Sequence, residues 1–144
     1  MAITTYTSGT PYTKKLTNDY VVKQVRINCA TNNVDQSVDG TIELLKVPKG
    51  AFVKSVAIYI ATVEDGAATL TIGDGADADG FLAGIDATAA GLTVSDKPVN
   101  AAAYAAIGGK VYTAADTIDL VTSADLDTLI ADVIIEYSII EALD

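Results

Sequence analysis

The closing run of the chain, from Leu129 to Ile140, most constrains the fold because its side chains alternate with a period of two. Its letters, LIADVIIEYSII, place a wholly apolar set on one face: Ala131, Val133, Ile135, Tyr137 and Ile139. Successive side chains of a β-strand point to opposite faces, so this pattern predicts a strand rather than a helix. Each fully buried Val or Ile contributes roughly 1.5–3 kcal/mol, so this face is expected to supply much of the core of a β-domain.

The same period recurs in the first half of the chain. The alternation from Tyr20 to Asn28 predicts a strand, and β-forming residues fill Thr41 to Val47 and Ala51 to Ala61. The turn Pro48-Lys49-Gly50 joins the last two runs, so we expect them to pair as an antiparallel hairpin. The run from Ala51 is apolar on both faces, which is typical of a central strand. Alternation assigns one face to Phe52, Val56, Ile58 and Ile60, and the other to Ala51, Val53, Ala57 and Tyr59.

The second half predicts further strands and, as one of two alternatives, a short helix. Strands are expected at Ala67–Gly73, Gly109–Tyr112 and Asp116–Thr122. The alanine-rich segment before Gly108 is either a short helix through AAAYAAI, capped by Asn100, or a loop or irregular edge strand, since a helix of seven residues is marginal alone. Seven to nine strands with at most one short helix predict an all-β fold, an antiparallel β-sandwich or jelly roll.

The length of 144 residues suits one domain, which can bury roughly 68–70% of its unfolded surface. Residues 1–18 are rich in Thr and Tyr and show no sustained period, so we expect an extended N-terminal arm. Residues 19–144 are then a single β-sandwich domain. The arm is either a frayed terminus or a segment that docks on a neighbouring subunit, for which Tyr6 and Tyr12 are the candidate contact residues.

A loop of glycines and aspartates, GDGADADG from Gly73 to Gly80, is the most specific local signal. Its acids, Asp74, Asp77 and Asp79, are candidate ligands for calcium, which takes 6–8 oxygens. The EF-hand pattern fails, because the twelfth position counted from Asp74 is Ile85 and not Glu. In the alternative, glycines permit tight turns and each aspartate bonds its own backbone. We therefore expect no cofactor, with calcium at this loop as the second possibility.

The residue inventory argues against catalysis. There is no histidine, which excludes Ser-His-Asp and Cys-His nucleophile systems and histidine-based zinc sites. A carboxylate pair for glycoside hydrolysis is conceivable, but there is no tryptophan to hold a sugar ring. The single Cys29 ends an apolar run, so it is interpreted as a small packed side chain. We expect that the protein is not an enzyme.

The charge argues against two classes of partner. The chain carries 9 basic and 19 acidic side chains, a net charge of −10, which opposes binding to a phosphate backbone. Only Lys14 and Lys15 are adjacent cations, so no basic patch for a membrane surface is present. No apolar run approaches the ~20 residues needed to span a bilayer, and the first residues lack the apolar core of a signal peptide. Neither nucleic acid nor a membrane is an expected partner.

The order of several segments resembles that of a known family. A strand leads into GDGADADGFLAG, followed by GKVYTAADTIDL and the closing ADVIIEYSII, and the resemblance covers roughly Gly40 to Ile140. These segments resemble small structural proteins of tailed-bacteriophage virions, of the head decoration or auxiliary capsid type.

The resemblance implies a β-sandwich or jelly roll in a protein that is made in a host cytoplasm and becomes part of the virion. It also implies a cement role, in which self-associated homotrimers bridge major capsid subunits and stabilise the capsid. The alternative is a β-sandwich binding module for a host-surface glycan or a calcium-dependent ligand in a phage fibre or neck.

Overall fold

The structure, a computed structural model, describes residues 20–31, 40–95 and 102–140. The predicted arm, with Tyr6 and Tyr12, lies outside these ranges, as does Asn100. The described elements, in chain order, are β1 (Val21–Asn28), β2 (Thr41–Val47), β3 (Ala51–Thr62), β4 (Thr69–Gly73), β5 (Leu82–Asp86), β6 (Gly91–Val94), α1 (Ala103–Ala106), β7 (Lys110–Val111), β8 (Asp116–Thr122) and β9 (Ile130–Ile139).

The strands form two antiparallel sheets that face each other. Sheet A has the order β1-β9-β3-β6, with β7 beside the start of β3, and sheet B has the order β2-β8-β4-β5. Apart from the two-residue β7, the strands pair in a nested order: β1 with β9, β2 with β8, β3 with β6, and β4 with β5. This nested pairing is a jelly roll, which confirms the predicted all-β fold.

The core lies between the two sheets and is built from alternate residues of their strands. From β9 it takes Ala131, Val133 and Ile135, all with no exposed surface, as the alternation predicts. Sheet B supplies the opposing layer, with Leu70, Ile72, Ile118 and Leu120. Phe81 and Leu82 return the chain to this core after the glycine-aspartate loop.

The predicted hairpin between β2 and β3 is wrong. β2 pairs with β8 in sheet B, whereas β3 pairs with β9, β6 and β7 in sheet A. The turn at Pro48-Lys49-Gly50 therefore carries the chain across the edge of the sandwich from one sheet to the other. A short turn limits how far apart two strands begin, but it does not make them hydrogen-bond partners. In opposite sheets, both strands bury apolar side chains in the same core, as Val47 and Ala51 do.

The predicted faces of β3 are also partly wrong, because a β-bulge interrupts the strand. The register against β9 shifts between Val53 and Ser55, at Lys54. One extra residue moves the side chains before the bulge to the opposite face. Ala51 and Val53 consequently lie in the core with Val56, Ile58 and Ile60, while Phe52 does not. β3 is nevertheless a central strand, as its two apolar faces predict.

The helical alternative for the alanine-rich segment is the one observed, in a single turn. α1 spans Ala103–Ala106, and Gly108 and Gly109 follow with φ of 84° and 123°. Across the described ranges, no helix has the length and apolar character needed to cross a membrane.

Candidate functional site

The glycine-aspartate loop connects β4 to β5 and folds back on the end of β4. The Asp74 N–H donates to the carbonyl of Asp77 at 2.9 Å, and the Gly80 N–H donates to the same carbonyl at 3.1 Å. A Cβ atom at Gly73 would overlap the Asp77 carbonyl oxygen, so no other residue fits there without moving the loop. The glycine before Asp74 is therefore required by the close approach of two backbone segments.

Asp74 points inward from this loop, and its side chain has no exposed surface. Its Oδ1 accepts hydrogen bonds from the backbone N–H groups of Ala76 and Asp77, both at 3.0 Å. This is the local turn in which an aspartate bonds the backbone two and three residues on. Asp74 therefore follows the second alternative predicted from the sequence, in which an aspartate of the loop bonds its own backbone.

Three side chains from beyond the loop complete the surroundings of Asp74. Lys110 Nζ lies 2.5 Å from Oδ2, the Tyr112 hydroxyl donates to Oδ2 at 2.7 Å, and the Tyr104 hydroxyl donates to Oδ1 at 3.1 Å. Lys110 Nζ also donates to the Tyr104 hydroxyl oxygen at 2.8 Å. We call Asp74, Tyr104, Lys110 and Tyr112 the Asp74 network. It ties the β4–β5 loop to α1 and β7.

The electrostatics of the Asp74 network keep its ion pair charged. Burial raises the pKa of Asp74, but hydrogen bonds from Lys110 and Tyr112 outweigh burial and leave that pKa below its ordinary value. Burial lowers the pKa of Lys110, but its bond to Asp74 gives a net increase. Burial and the bond to Asp74 both raise the pKa of Tyr112, so its hydroxyl stays protonated and donates a hydrogen bond to Asp74.

Tyr104 is positioned by two neighbouring residues of the loop. Its N–H donates to the Gly80 carbonyl at 2.8 Å, and its ring covers Gly80 so closely that a Cβ there would overlap it. The ring also meets Phe81 edge-on, with the centroids 5.1 Å apart. The absence of a side chain at Gly80 thus leaves room for the Tyr104 ring, and the buried Phe81 connects that ring to the core.

The structure separates the three predicted metal ligands into two groups. Asp74 is turned inward, while Asp77 and Asp79 stay at the tip of the loop, where a side-chain hydrogen bond between these two acids raises the pKa of Asp77. In the parts of the chain that are described, no three His, Cys, Asp or Glu residues are grouped so that they could hold a metal ion. Calcium binding by these aspartates stays the second, untested possibility.

Tyr104, Lys110 and Tyr112 were not predicted from the sequence to be site residues. Lys110 and Tyr112 were placed in a predicted strand, and residues two apart in a strand share a face. A lysine on the same face as a buried tyrosine needs an anion nearby, which was the available signal. The partner itself, 36 residues earlier in the chain, was not identifiable from the local pattern.

A second inward carboxylate, Glu64, holds the turn before β9. Glu64 is buried, and its oxygens accept from the N–H groups of Asp127, Thr128 and Leu129 at 2.9, 3.2 and 3.0 Å. Burial raises the pKa of Glu64, but these three backbone donors outweigh burial and lower it below 4.5. The sequence predicted only a turn at this position.

Cys29 is a buried thiol of low reactivity. Burial, followed by the negative charges of Glu64 and Asp127, raises its pKa to about 11. The thiolate is the nucleophilic form, so this side chain is unreactive near neutral pH. This agrees with the prediction of a small packed residue.

The faces of the two sheets that point away from the core differ in chemistry. On sheet A, the outer face exposes large apolar side chains, including Val22, Tyr59 and Leu92, which is 62% exposed. It also carries the ion pair of Arg26 and Asp132, whose two hydrogen bonds measure 2.9 and 2.7 Å. The outer face of sheet B is mainly polar and includes Thr41, Glu43, Lys46, Thr69, Thr71, Asp86, Thr117 and Asp119. Sheet A therefore has the face better suited to contact another segment or subunit.

No protein-family model and no curated protein matches the sequence. Solved structures do match the fold, each at 13% identity. A chain in the acid-stable capsid of Helicobacter pylori bacteriophage KHP30 has a TM-score of 0.60, with 84% of this chain and 88% of that chain covered. A chain in the capsid asymmetric unit of cyanophage Pam1 has a TM-score of 0.60, with 96% and 92% covered. A chain in the capsid of Ralstonia phage GP4 has a TM-score of 0.55, with 83% and 84% covered. The chain shares its fold with components of three phage capsids.

Proposed function

We propose that this protein is a structural protein of a phage virion, and more narrowly a head decoration or cement protein. In this role homotrimers bridge major capsid subunits and stabilise the shell. The observation that carries the proposal is the shared fold with chains in three phage capsids, at TM-scores of 0.55 to 0.60.

The extent of the match supports a whole-chain relationship. The aligned region covers 83–96% of this chain and 84–92% of the capsid chains, so the partners in each comparison are of similar length. The shared unit is thus the jelly roll as a whole.

The chemistry of the described residues supports a role in assembly. The charged groups of the Asp74 network and of Glu64 are engaged in internal hydrogen bonds. The single cysteine, Cys29, is buried and its thiol has a raised pKa. The exposed apolar side chains on the outer face of sheet A are instead suited to protein contacts. These features favour a protein that acts through its surfaces.

The charge supports a position on the outside of the shell. A net charge of −10 is repelled by packaged DNA, which is itself a dense polyanion. The same charge keeps an outward surface hydrated and soluble. In a homotrimer on a local threefold axis, each subunit would contact its neighbour through the same surface patch, and three such contacts close the ring.

The test has two measurements on the purified full chain. Light scattering gives the oligomeric state, and co-sedimentation measures binding to capsids assembled from the major capsid protein of the same phage. Binding is repeated at raised salt, because screening removes adsorption due to charge alone. A trimer that binds the capsids at both salt concentrations supports the proposal. A stable monomer without affinity for capsids contradicts it.

A further inference from the structure

Two acidic side chains lie directly opposite each other on the outer face of sheet B. Glu43 of β2 is the register partner of Asp119 in β8. The Cβ atoms of directly opposite residues in an antiparallel pair are roughly 4.5–5.5 Å apart, and like charges at such positions destabilise the pairing. Among the described strands, β2 is held in sheet B by β8 alone. The two acids therefore oppose each other at the contact that keeps β2 in its sheet.

Asp119 is also short of hydrogen-bond donors. The Thr117 hydroxyl donates to Oδ2 at 3.0 Å, whereas Oδ1 is buried and has no partner among the described residues. A buried carboxylate oxygen without a donor carries the cost of its lost hydration. A protonated carboxyl group has an O–H to donate, so it needs fewer donors around it. The surroundings of Asp119 thus suit the neutral acid better than the anion.

The β4–β5 loop accounts for the shielding of Oδ1 from water. On the side away from β2, the register partner of Asp119 is Gly73. The space that a Cβ atom of Gly73 would take is filled by the backbone of Asp77 and Ala78. Register partners point to the same face of a sheet, so this loop backbone lies beside Asp119 on the outer face. Asp119 is consequently flanked by the loop on one side and by Glu43 on the other.

Most of the charged groups on the elements around Asp119 are negative. They are Glu43 and Lys46 of β2, Asp116 of β8, Asp74, Asp77 and Asp79 of the β4–β5 loop, and Lys110 of β7, which pairs with Asp74. Lys46 Nζ lies 3.7 Å from Glu43 Oε1 and its side chain is 82% exposed, so it offsets the repulsion weakly.

The pKa of Asp119 agrees with this geometry. Burial raises it above the ordinary value of 3.8, the bond from Thr117 lowers it, and the negative charges of Glu43, Asp116 and Asp74 raise it again, with a net increase.

We propose that Asp119 takes up a proton from solution in mild acid and uses it to donate a hydrogen bond to the Glu43 carboxylate. The shared proton replaces a repulsion between β8 and β2 with an attraction, so β2 is held more firmly in mild acid than at neutral pH. Because β2 brings Leu44 and Val47 into the core, its attachment affects the whole sandwich. This device lies within one chain, so it goes beyond the proposed virion role and does not depend on it.

The pH dependence of this contact is opposite in sign to that of Asp74 and Glu64. The folded pKa of Asp119 is raised, so its contribution to stability is fully present below 3.8 and is lost as the pH rises through the raised value. The pKa values of Asp74 and Glu64 are lowered, so their contributions are lost only as the pH falls through the lowered values. The two effects therefore occupy different pH ranges.

The first test follows the side-chain carboxyl carbon of Asp119 by NMR in the full-length chain, from about pH 7 to about pH 3. We expect a midpoint above 3.8. Glu43→Gln should lower that midpoint by about 0.5 pH units or more, because it removes the opposing charge. Asp86→Asn, which removes an exposed acid two strands away in the same sheet, is the matched control and should shift it clearly less. A midpoint at or below 3.8, or one that Glu43→Gln leaves unchanged, would overturn the proposal.

The second test uses Asp119→Asn, which resembles the protonated acid in shape and keeps a donor for Glu43. Urea unfolding of this variant and of the unmodified chain is compared at about pH 7 and about pH 4. We expect the urea midpoint of the variant to rise relative to that of the unmodified chain at the higher pH, and the difference to shrink at the lower pH. Asp86→Asn should give no such gain at the higher pH, since its hydrogen bonds from Thr88 lower the pKa of Asp86. A difference for Asp119→Asn that is equal at both pH values, or that favours the variant only in acid, would refute the shared proton.

Discussion

Asp74 and Lys110, which lie 36 residues apart in the chain, form an ion pair of 2.5 Å between Oδ2 and Nζ. The carboxylate side chain is fully buried, while the lysine is 21% exposed. Five hydrogen bonds converge on this one carboxylate. A loop rich in glycine is thereby fixed to the body of the jelly roll by charge and not by apolar packing alone.

Lys110→Met should destabilise the protein by roughly 3 kcal/mol or more, because it leaves the buried carboxylate of Asp74 without its cation. Urea unfolding measures this loss. Lys46→Met is the matched control, since Lys46 is largely exposed and its pairing with Glu43 is long, at 3.7 Å. The control should cost about 1 kcal/mol or less.

The double variant Asp74→Asn, Lys110→Met provides a further check on the same pair. Removing both charges eliminates the unpaired buried ion, so it should be less destabilised than the sum of the two single variants. Strict additivity would contradict the assigned ion pair.

Acid should weaken the fold through Asp74 and Glu64. Both carboxyls have a pKa in the folded protein below their ordinary values of 3.8 and 4.5, so the folded state favours their charged forms. Their contribution to stability is fully present above those ordinary values and is lost as the pH falls through the lowered ones. Urea midpoints measured from about pH 7 to about pH 3 should therefore drop at the acidic end. Asp74→Asn should flatten this dependence, and an unchanged slope would contradict the assignment.

The sequence predicted most strands but not all their partners, for a physical reason. A period of two is local, so the alternation in Leu129–Ile140 located β9 and its buried face. Pairing depends on which distant apolar face completes the core, so the link at Pro48 was wrongly assigned to a hairpin. The bulge at Lys54 is set by the register against β9, and it reversed the faces assigned to Ala51 and Val53.

The site was predictable to a similar extent. The glycine-aspartate loop was located, and so was a local role for aspartate in turning the backbone. The inward orientation of Asp74 depends on Lys110 and Tyr112, which come from β7 and the residue after it. No local pattern links residues so far apart in the sequence.

Ile135→Ala should cost about 2–5 kcal/mol, as expected for a large-to-small change in a core. Ile135 has no exposed surface and lies on the inner face of β9. Ile134→Ala is the matched control, because the neighbouring Ile134 is on the outer face and only partly buried, so its loss should be clearly smaller. Both values come from urea unfolding. A loss below about 0.5 kcal/mol for Ile135→Ala would mean that this face is not in the core.

Addition of Ca²⁺ should leave the melting temperature unchanged and give no heat in calorimetry. The reason is that the Asp74 oxygens already accept five hydrogen bonds and its charge is matched by Lys110. A cation bound there would have to displace the lysine, and Asp77 and Asp79 alone supply too few oxygens for the 6–8 that calcium takes. A ligand that binds the folded state raises the melting temperature, so a rise with Ca²⁺ that a chelator reverses would favour the metal-binding alternative. Asp77→Asn combined with Asp79→Asn would then abolish that rise if the tip of the loop holds the ion, and would leave it intact if the ion binds elsewhere.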